Sequence, residues 1–314
     1  MNYSGINSAK YGRVALVVGG DSPEREVSLA GGKSVAAALA RMNIDHVVFD
    51  GVHPLFKAIE KGTIKRVFNL MHGTGGEDGR LTGALDLLEI PVTGSSVLGS
   101  ALTMDKVRSK QVWKSAGIPT TDFILTRVGD DDSDKIFKAF ELPLFVKPVD
   151  QGSSLGISKV TKPEQLLDAI ALAASFSSVV IVEPGIAGRE YFAGIIDSEC
   201  LPLIAVEPAS EFYDYKAKYE SNQTRYFCPC GLTSELESQL QQLAKRAFDE
   251  VDASGWGRVD FILDESGKPW FLEVNTIPGM TDHSLIPQAA AQAGTDFDRL
   301  VLRILETSFQ GANL

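Results

Sequence analysis

Cysteine is scarce in this chain of 314 residues: Cys200, Cys228 and Cys230 are the only three. An odd number excludes a disulfide framework, and the C-x-C spacing does not match the usual zinc pattern, so all three read as free thiols. Long apolar runs are missing too. No segment approaches the roughly 18 uninterrupted apolar residues of a membrane-spanning helix, and the opening MNYSGINSAK has no apolar signal-peptide core. A cytoplasmic location with no membrane partner is the expectation. Positive charge is in deficit, with 30 Lys and Arg against 41 Asp and Glu and a formal charge of −11. That balance argues against a broad nucleic-acid surface, although local basic positions can still hold a nucleotide. The Walker A string G-x-x-x-x-G-K-[ST] is absent as well.

What is present is the grammar of an α/β protein. With 44% hydrophobic content the chain can bury substantial cores, and its length suggests two or three domains. The runs RVALVVGG, SLAGGKSVAAALARM, HVVFD, RVFNLMHG, GALDLLE and IPVTG alternate strand and helix, which predicts a three-layer parallel-sheet unit over about 12–95. Its ligand-facing loops should follow the strand ends, at GGDSPERE and HGTGGEDG. SALTMDKVRSKQVWKSAGIP then reads as one helix stopped by Gly117 and Pro119. LPLFVKPVDQGSSLGISKV reads as strand, glycine-rich turn and strand, followed by a helix from Pro163 to about Ala174 and the strand SVVIVEP. Further helices are expected near Ser234–Val251 and from Asp296. Residues 207–231 fit no regular element, and their tyrosines and lysines suggest a closing lid.

The richest segment is GWGRVDFILDESGKPWFLEVNT. Val259, Phe261 and Leu263 alternate with polar residues, and so do Trp270, Leu272 and Val274, which is the pattern of two half-buried strands. A two-residue turn at Ser266 and Gly267 would set Asp260 opposite Glu273, Arg258 opposite Asn275, Val259 opposite Val274 and Phe261 opposite Leu272. Opposed residues lie roughly 4.5–5.5 Å apart at Cα, so two carboxylates repel unless a cation sits between them. Arg258 relieves only part of that. Two carboxylates and an amide oxygen, without His or Cys, suit Mg²⁺ or Mn²⁺ rather than Zn²⁺, and magnesium points to a nucleotide triphosphate.

Other motifs fit that chemistry. Gln151 to Gly156, including Ser153 and Ser154, can present backbone N–H groups to phosphate, and Lys106 and Lys147 can neutralise it. Glu183 and Glu190 are acceptors near a domain junction, suited to ribose hydroxyls or an adenine amine. His72 follows a strand at the crevice, and Glu24 stands at a helix start, where an acid also favours the helix dipole. Gly279 and Ser284 lie in TIPGMTDHSL, a loop rich in backbone donors that can cradle a carboxylate or a developing oxyanion.

Taken together, GGDSPEREVSL, HGTGGEDG, TMDKVRSK, VKPVDQGSSLGISKV, FYDYKAKY, GWGRVDF and EVNTIPGMTDHSL resemble the D-alanine–D-alanine ligases of the ATP-grasp superfamily, over Val14–Leu305. The resemblance implies an N-terminal substrate domain over 1–95, then a two-subdomain α+β ATP-grasp module, central over 96–183 and C-terminal over 184–314. It implies that ATP phosphorylates the carboxylate of one D-alanine and that the amine of a second attacks the acyl phosphate, for peptidoglycan precursor synthesis. Asp260, Glu273 and Asn275 would hold two Mg²⁺ ions, replaceable by Mn²⁺. Lys106, Lys147, Ser154 and Lys218 would meet phosphate, while Glu183 and Glu190 would bind adenosine. Glu24 would take the first ammonium, with Ser153 and Tyr219 hydrogen-bonded to it, and His72 would orient that substrate. Arg258 and the Gly279 N–H would stabilise the oxyanion, and Ser284 with Leu285 would receive the second carboxylate. A homodimer is implied by the family alone.

Two departures stand out. Relatives often carry a lysine and a bulky apolar residue where this chain has Pro184 and Gly185, and VDQG replaces a more basic approach to the phosphate loop. Two alternatives remain open at this level: a ligase accepting a D-hydroxy acid, against which the phenol of Tyr219 argues, and a nucleotide-binding regulator without turnover, against which Arg258 argues.

Overall fold

The computed structural model describes residues 7–130, 132–152, 154–208, 224–281 and 283–309. β1 (Val14–Val18) is apolar at every position because both faces of its sheet are covered. It lies between the parallel strands β2 (His46–Asp50) and β3 (Arg66–Asn69). Val14, Leu16 and Val18 point to one core, which they share with Val35 and Leu39 of α1 (Arg25–Arg41). Ala15 and Val17 point to the other, against Leu55 of α2 (Val52–Glu60) and Leu81 and Leu85 of α3 (Arg80–Leu87). This is the three-layer unit the alternation predicts, with α2 as an addition. IPVTG contributes no strand, only a bridge from Val67 to Val92.

The next segment departs from the single helix expected. Asp105 is extended, and its carboxylate accepts from the N–H groups of Val107 and Arg108, so it ends α4 (Val97–Met104) and caps α5 (Lys106–Ser115). The break sets Lys106 at the first position of α5. Further along α5, Trp113 is fully buried, packs on Phe271 and donates from its indole to Ala247 O at 2.7 Å. Helix α5 therefore packs into the third sheet's core.

The second sheet is antiparallel, in the order β4 (Ile124–Thr126), β7 (Val180–Pro184), β5 (Leu144–Pro148), β6 (Ser158–Val160). Between these strands in the chain lie α6 (Ser133–Ala139) and α7 (Leu166–Ala174). Leu166, Ile170 and Ala173 of α7 pack into a core with Leu144, Val146 and Val182 of the sheet.

The third sheet contains β8 (Gly188–Ile196), β9 (Glu199–Cys200), β10 (Ile204–Glu207), β11 (Arg225–Phe227), β12 (Trp256–Asp264) and β13 (Pro269–Asn275), with α8 (Ser234–Glu250) against it. β11 corrects the expectation that 207–231 holds no regular element, since it pairs with β10. The rest of the expected lid, 209–223, lies outside the described residues. The chain closes with α9 (Leu285–Gln292) and α10 (Phe297–Thr307). Leu300, Val301 and Ile304 of α10 enter the same core as Val14 and Leu16, and Asp298 takes the Arg41 guanidinium. The first and last parts of the chain thus share one core.

The β12–β13 hairpin differs from its expected form in two places that cancel. Its loop has three residues, Glu265, Ser266 and Gly267, closed by Asp264 N–H on Lys268 O at 3.0 Å. Leu263 therefore pairs with Pro269, Ile262 with Trp270 and Phe261 with Phe271, and the register shifts by one residue between Asp260 and Phe261. Beyond the bulge, Asp260 faces Glu273, Val259 faces Val274 and Arg258 faces Asn275. The expected pairing of Phe261 with Leu272 is wrong because the bulge turns Leu272 away. Phe271, fully buried against Phe261 at 5.3 Å between ring centroids, takes the core position instead.

Gly267 has φ +83 with open space where a Cβ would stand. Gly267→Ala is therefore expected to cost about 1 kcal/mol through backbone strain alone, read as a lower urea midpoint at unchanged slope. No loss of stability would contradict this account of the turn.

Candidate active site

The loops at the ends of these strands enclose two adjoining cavities. The larger, about 540 Å³, is lined by Glu24 and His72 from the first unit and by Arg258, Asn275, Gly279 and Ser284 from the last. The smaller, about 110 Å³, is lined by Lys147, Ser154 and Glu183 of the central unit and by Glu190 and Leu272 of the third sheet. Lys106 and Glu273 line both and form the shared wall. Leu285 also lines the larger cavity.

The opposed carboxylates at this wall are each held by a cation. Arg258 donates from Nε and Nη2 to the two oxygens of Asp260 at 2.6 and 2.7 Å, and its guanidinium lies 5.0 Å from the Phe192 ring centroid. Lys106 Nζ lies 3.0 Å from Glu273 Oε2 and donates to Gln151 O at 2.7 Å. Burial works to lower the Lys106 pKa, but the carboxylates of Glu273, Glu183 and Glu24 together outweigh it and the net direction is upward. Lys106 is thus the second cation that the opposed pair requires. The donor set of Asp260, Glu273 and Asn275 is oxygen only, which suits a hard divalent cation. Among the described residues no three His, Cys, Asp or Glu side chains form a metal-holding group, so an ion here would rest on two carboxylates and an amide oxygen.

In the smaller cavity Glu183 lies one residue before the end of β7, almost fully buried, with Lys110 Nζ 2.8 Å from Oε1 and Lys147 Nζ 2.7 Å from Oε2. Burial raises its pKa, but the two ammonium groups overcome that and bring it down to about 2. Lys110 also donates to the hydroxyls of Thr120 and Thr121 at 2.8 and 2.9 Å. Ser154 holds a left-handed backbone at φ 59 in the glycine-rich turn, a strained conformation for a residue other than glycine.

At the other end of the cleft, the β3–α3 loop is built by Asn69, whose amide donates to Gly76 O at 2.9 Å and whose Oδ1 accepts from Met71 N–H at 3.0 Å. His72, which follows, is buried, and burial holds its pKa below the ordinary imidazole value. Glu24 is also buried, wedged between two glycines: a Cβ on Gly152 would lie 3.1 Å from Glu24 Oε2, and one on Gly73 would lie 3.5 Å away. The carboxylate at the first helix is thereby set against the glycine-rich loop of the central unit. Opposite it, Ser284 precedes α9 without capping it; its hydroxyl instead accepts from Thr281 N–H at 2.9 Å. A Cβ on Gly279 would come within 2.9 Å of that hydroxyl, so the two residues are neighbours.

Of the expected site residues, Asp260 is buried beneath the wall, while Ser153, Lys218 and Tyr219 lie outside the described residues. The others line the two cavities. Two further residues were not singled out in the sequence. Lys110 sits one helical turn beyond Lys106 and only the fold brings it to Glu183. Glu77, inside HGTGGEDG, lines the larger cavity and accepts from Gly73 N–H at 2.6 Å.

The chain is similar to known proteins in both sequence and fold. The family described as "D-ala D-ala ligase C-terminus" matches residues 112–306. A D-alanine–D-alanine ligase of Chromohalobacter salexigens is 51% identical over 299 residues, covering 95% of each chain. A crystal structure of D-alanine–D-alanine ligase from Bacillus anthracis complexed with ATP superposes with a TM-score of 0.82 at 31% identity, over 96% of this chain and 98% of that one. The VanG D-Ala:D-Ser ligase of Enterococcus faecalis gives 0.81 at 29% identity, over 95% and 99%.

Removing one of the two cations on Glu183 leaves a buried carboxylate half compensated. Lys110→Met is expected to cost about 3 kcal/mol at pH 7 by chemical denaturation. A depressed carboxyl contributes stability that is fully present above 4.5 and lost as pH falls through about 2. The gap between variant and wild type should therefore shrink over that window; a pH-independent gap would contradict the pairing.

Proposed function

The chain belongs to the D-alanine–D-alanine ligase family, and on that premise we propose how its cleft joins two D-alanines using ATP. The observation that carries the proposal is the shared wall: Lys106 and Glu273 face a cavity with the acceptors Glu183 and Glu190 on one side and a cavity with Glu24, His72 and Arg258 on the other.

The γ-phosphoryl group passes from ATP to a carboxylate oxygen of the first D-alanine, giving ADP and an acyl phosphate. The neutral amine of the second D-alanine then attacks the carbonyl carbon, and phosphate leaves as the amine loses its proton. Both steps depend on positioning and charge stabilisation rather than on a protein nucleophile. In our reading Glu24 takes the first ammonium, with Ser153 and Tyr219 completing the set, and His72 orients the first carboxylate. The buried, neutral-leaning state of His72 suits hydrogen bonding to a substrate more than charge pairing.

Arg258 and the Gly279 N–H serve the tetrahedral oxyanion, and Ser284 with Leu285 at the α9 N-terminus receives the second carboxylate. A helix N-terminus favours that anion. Lys106, Lys147, Ser154 and Lys218 hold phosphate, and Glu183 and Glu190 hold adenosine. Asp260, Glu273 and Asn275 would hold Mg²⁺, two ions by family expectation with Mn²⁺ as a substitute, whose role is to neutralise the triphosphate and polarise the transferred group. Two functions are asked of Arg258 and Lys106, since both also balance the carboxylates in the protein alone.

We extend the proposal to three matters of organisation. The division at 95/96 and 183/184 is supported by the three separate sheets. A cytoplasmic site of action is consistent with the fact that no described helix is long and apolar enough to cross a membrane. A homodimer is supported by an apolar surface where Leu87 and Leu88 at the end of α3 and Val97 and Leu98 at the start of α4 are exposed. Light scattering should give twice the 33.9 kDa chain mass, and a monomer would contradict it.

The chemistry is tested by phosphate release from ATP and Mg²⁺. Release should require D-alanine and be matched by D-alanyl-D-alanine, and Glu273→Gln should lower kcat by at least about 10²-fold, of the order of losing one strong transition-state contact. Release independent of D-alanine, or near-normal turnover of the variant, would sink the assignment.

A further inference from the structure

Gly185, which follows Pro184 at the end of β7, has no side chain for a reason that the fold makes visible. Its N–H donates to Pro143 O at 2.7 Å, which draws the end of β7 against the start of β5. A Cβ there would lie 2.9 Å from that carbonyl oxygen and 3.3 Å from Cε2 of Phe145. The bare backbone leaves the Phe145 ring its place.

Phe145 stands on the cleft face of β5. Leu144 and Val146 on either side of it enter the central unit's core, so period-two alternation sends Phe145 and Lys147 the other way, where Phe145 is the cross-strand partner of Glu183. All three line the smaller cavity, and Lys147 Nζ lies 5.7 Å from the Phe145 ring centroid. Among the described residues that line this cavity Phe145 is the one aromatic, and it is only partly buried.

Aliphatic residues supply the rest of the apolar lining. Ile262 of β12 and Leu272 of β13 reach the cavity from the third sheet, and Ile157 and Ile186 join from the loops beside β6 and β7. Leu272 is there because of the hairpin bulge: Phe271 and Val274 take the core, and the consecutive residues Leu272 and Glu273 both reach the cavity. The bulge thus sets an apolar side chain beside the Glu273 carboxylate. One aromatic face, aliphatic walls from two sheets and a cation two residues along the strand suit a flat heteroaromatic ring that carries phosphate. Positions i and i+2 of a strand are roughly 6.6 Å apart, so Phe145 and Lys147 can meet the ring and the phosphate of one ligand.

We propose that Phe145 is the residue on which the nucleotide base stacks, with Ile262 and Leu272 as the apolar surface from the third sheet, and that Gly185 is bare so that the ring can hold this place. The proposal rests on the ligase reading above, in which this cavity takes adenosine. Every base presents a π face, so stacking on Phe145 sets affinity and leaves the choice of base to polar groups such as Glu183 and Glu190.

Calorimetric titration of the full chain with ADP and Mg²⁺, and separately with inorganic tripolyphosphate and Mg²⁺, tests this, because the second probe has phosphate and no base. Phe145→Ala should weaken ADP binding at least about tenfold, the scale of one lost base–aromatic stack, while tripolyphosphate binding and the KM for D-alanine stay within about twofold. Phe145→Tyr should keep ADP affinity within about threefold, whereas Phe145→Leu, apolar but without a π face, should recover less than about half of the loss. Gly185→Ala should weaken ADP about fivefold and leave tripolyphosphate unchanged, since its Cβ crowds the ring. If Phe145→Ala fails to fold, the tyrosine and leucine variants carry the same comparison. Unchanged ADP affinity in Phe145→Ala or Gly185→Ala, an equal loss for ADP and tripolyphosphate, or a leucine variant that binds ADP as tightly as the wild type would overturn the proposal. Failure of the wild-type chain to bind ADP or to form D-alanyl-D-alanine would instead overturn the ligase reading, which keeps the two apart.

Discussion

Two carboxylates held face to face on neighbouring strands form the constraint on which the rest of this structure depends. Asp260 and Glu273 are direct cross-strand partners, and Asp260 is almost wholly removed from water. Uncompensated, such a pair is unstable, because like charges directly opposed repel and a buried charge without a partner costs several kcal/mol, of order 3–5. The protein answers with one cation from each direction. Arg258 comes from the same strand, two residues away, and Lys106 comes from the start of α5. The position of Lys106 depends in turn on the helix break at Asp105, and that of α5 on Trp113 buried against Phe271 of the hairpin itself. The electrostatic and the packing requirements close on each other.

The same wall divides the cleft by chemistry. Toward the second sheet lies a small cavity floored by the Lys110–Glu183–Lys147 cluster, in which two ammonium groups hold one buried carboxylate. Toward the first sheet lies a larger cavity ringed by loops from both ends of the chain. Those loops can form a single binding surface because α10 and β1 contribute to one hydrophobic core. Passing a phosphoryl group from a nucleotide to an amino acid requires that the two ligands meet across a short, charged boundary. The geometry of Lys106 and Glu273 supplies one.

Much of this was legible in the chain. The five apolar residues of β1 announce a strand covered on both faces, and alternation places Asp260, Glu273, Arg258 and Asn275 correctly. At its site end the hairpin has the register that alternation predicts for a reason the sequence conceals, since a three-residue turn shifts the register by one and a bulge at Leu272 shifts it back. Period-two reasoning sees neither irregularity, and it consequently put Leu272 where Phe271 lies. The α4–α5 break was missed because Asp105 is an ordinary helix surface residue by pattern and a cap only by conformation. Lys110 and Glu77 were invisible for a different reason. Lys110 acts on Glu183, distant in sequence, Glu77 is buried in a loop against the larger cavity, and a lone charged residue on a helix or in a loop reads as solvated until the fold buries it.

The central claim is that the opposed pair and Asn275 form the hard-cation wall between nucleotide and amino acid. Anomalous scattering from crystals grown with Mn²⁺ and ADP tests it most directly. The account predicts manganese bound by oxygens of Asp260, Glu273 and Asn275, with Lys106 drawn from Glu273 toward phosphate. Manganese bound elsewhere, with the Arg258–Asp260 and Lys106–Glu273 pairs both intact beside bound ADP, would contradict it.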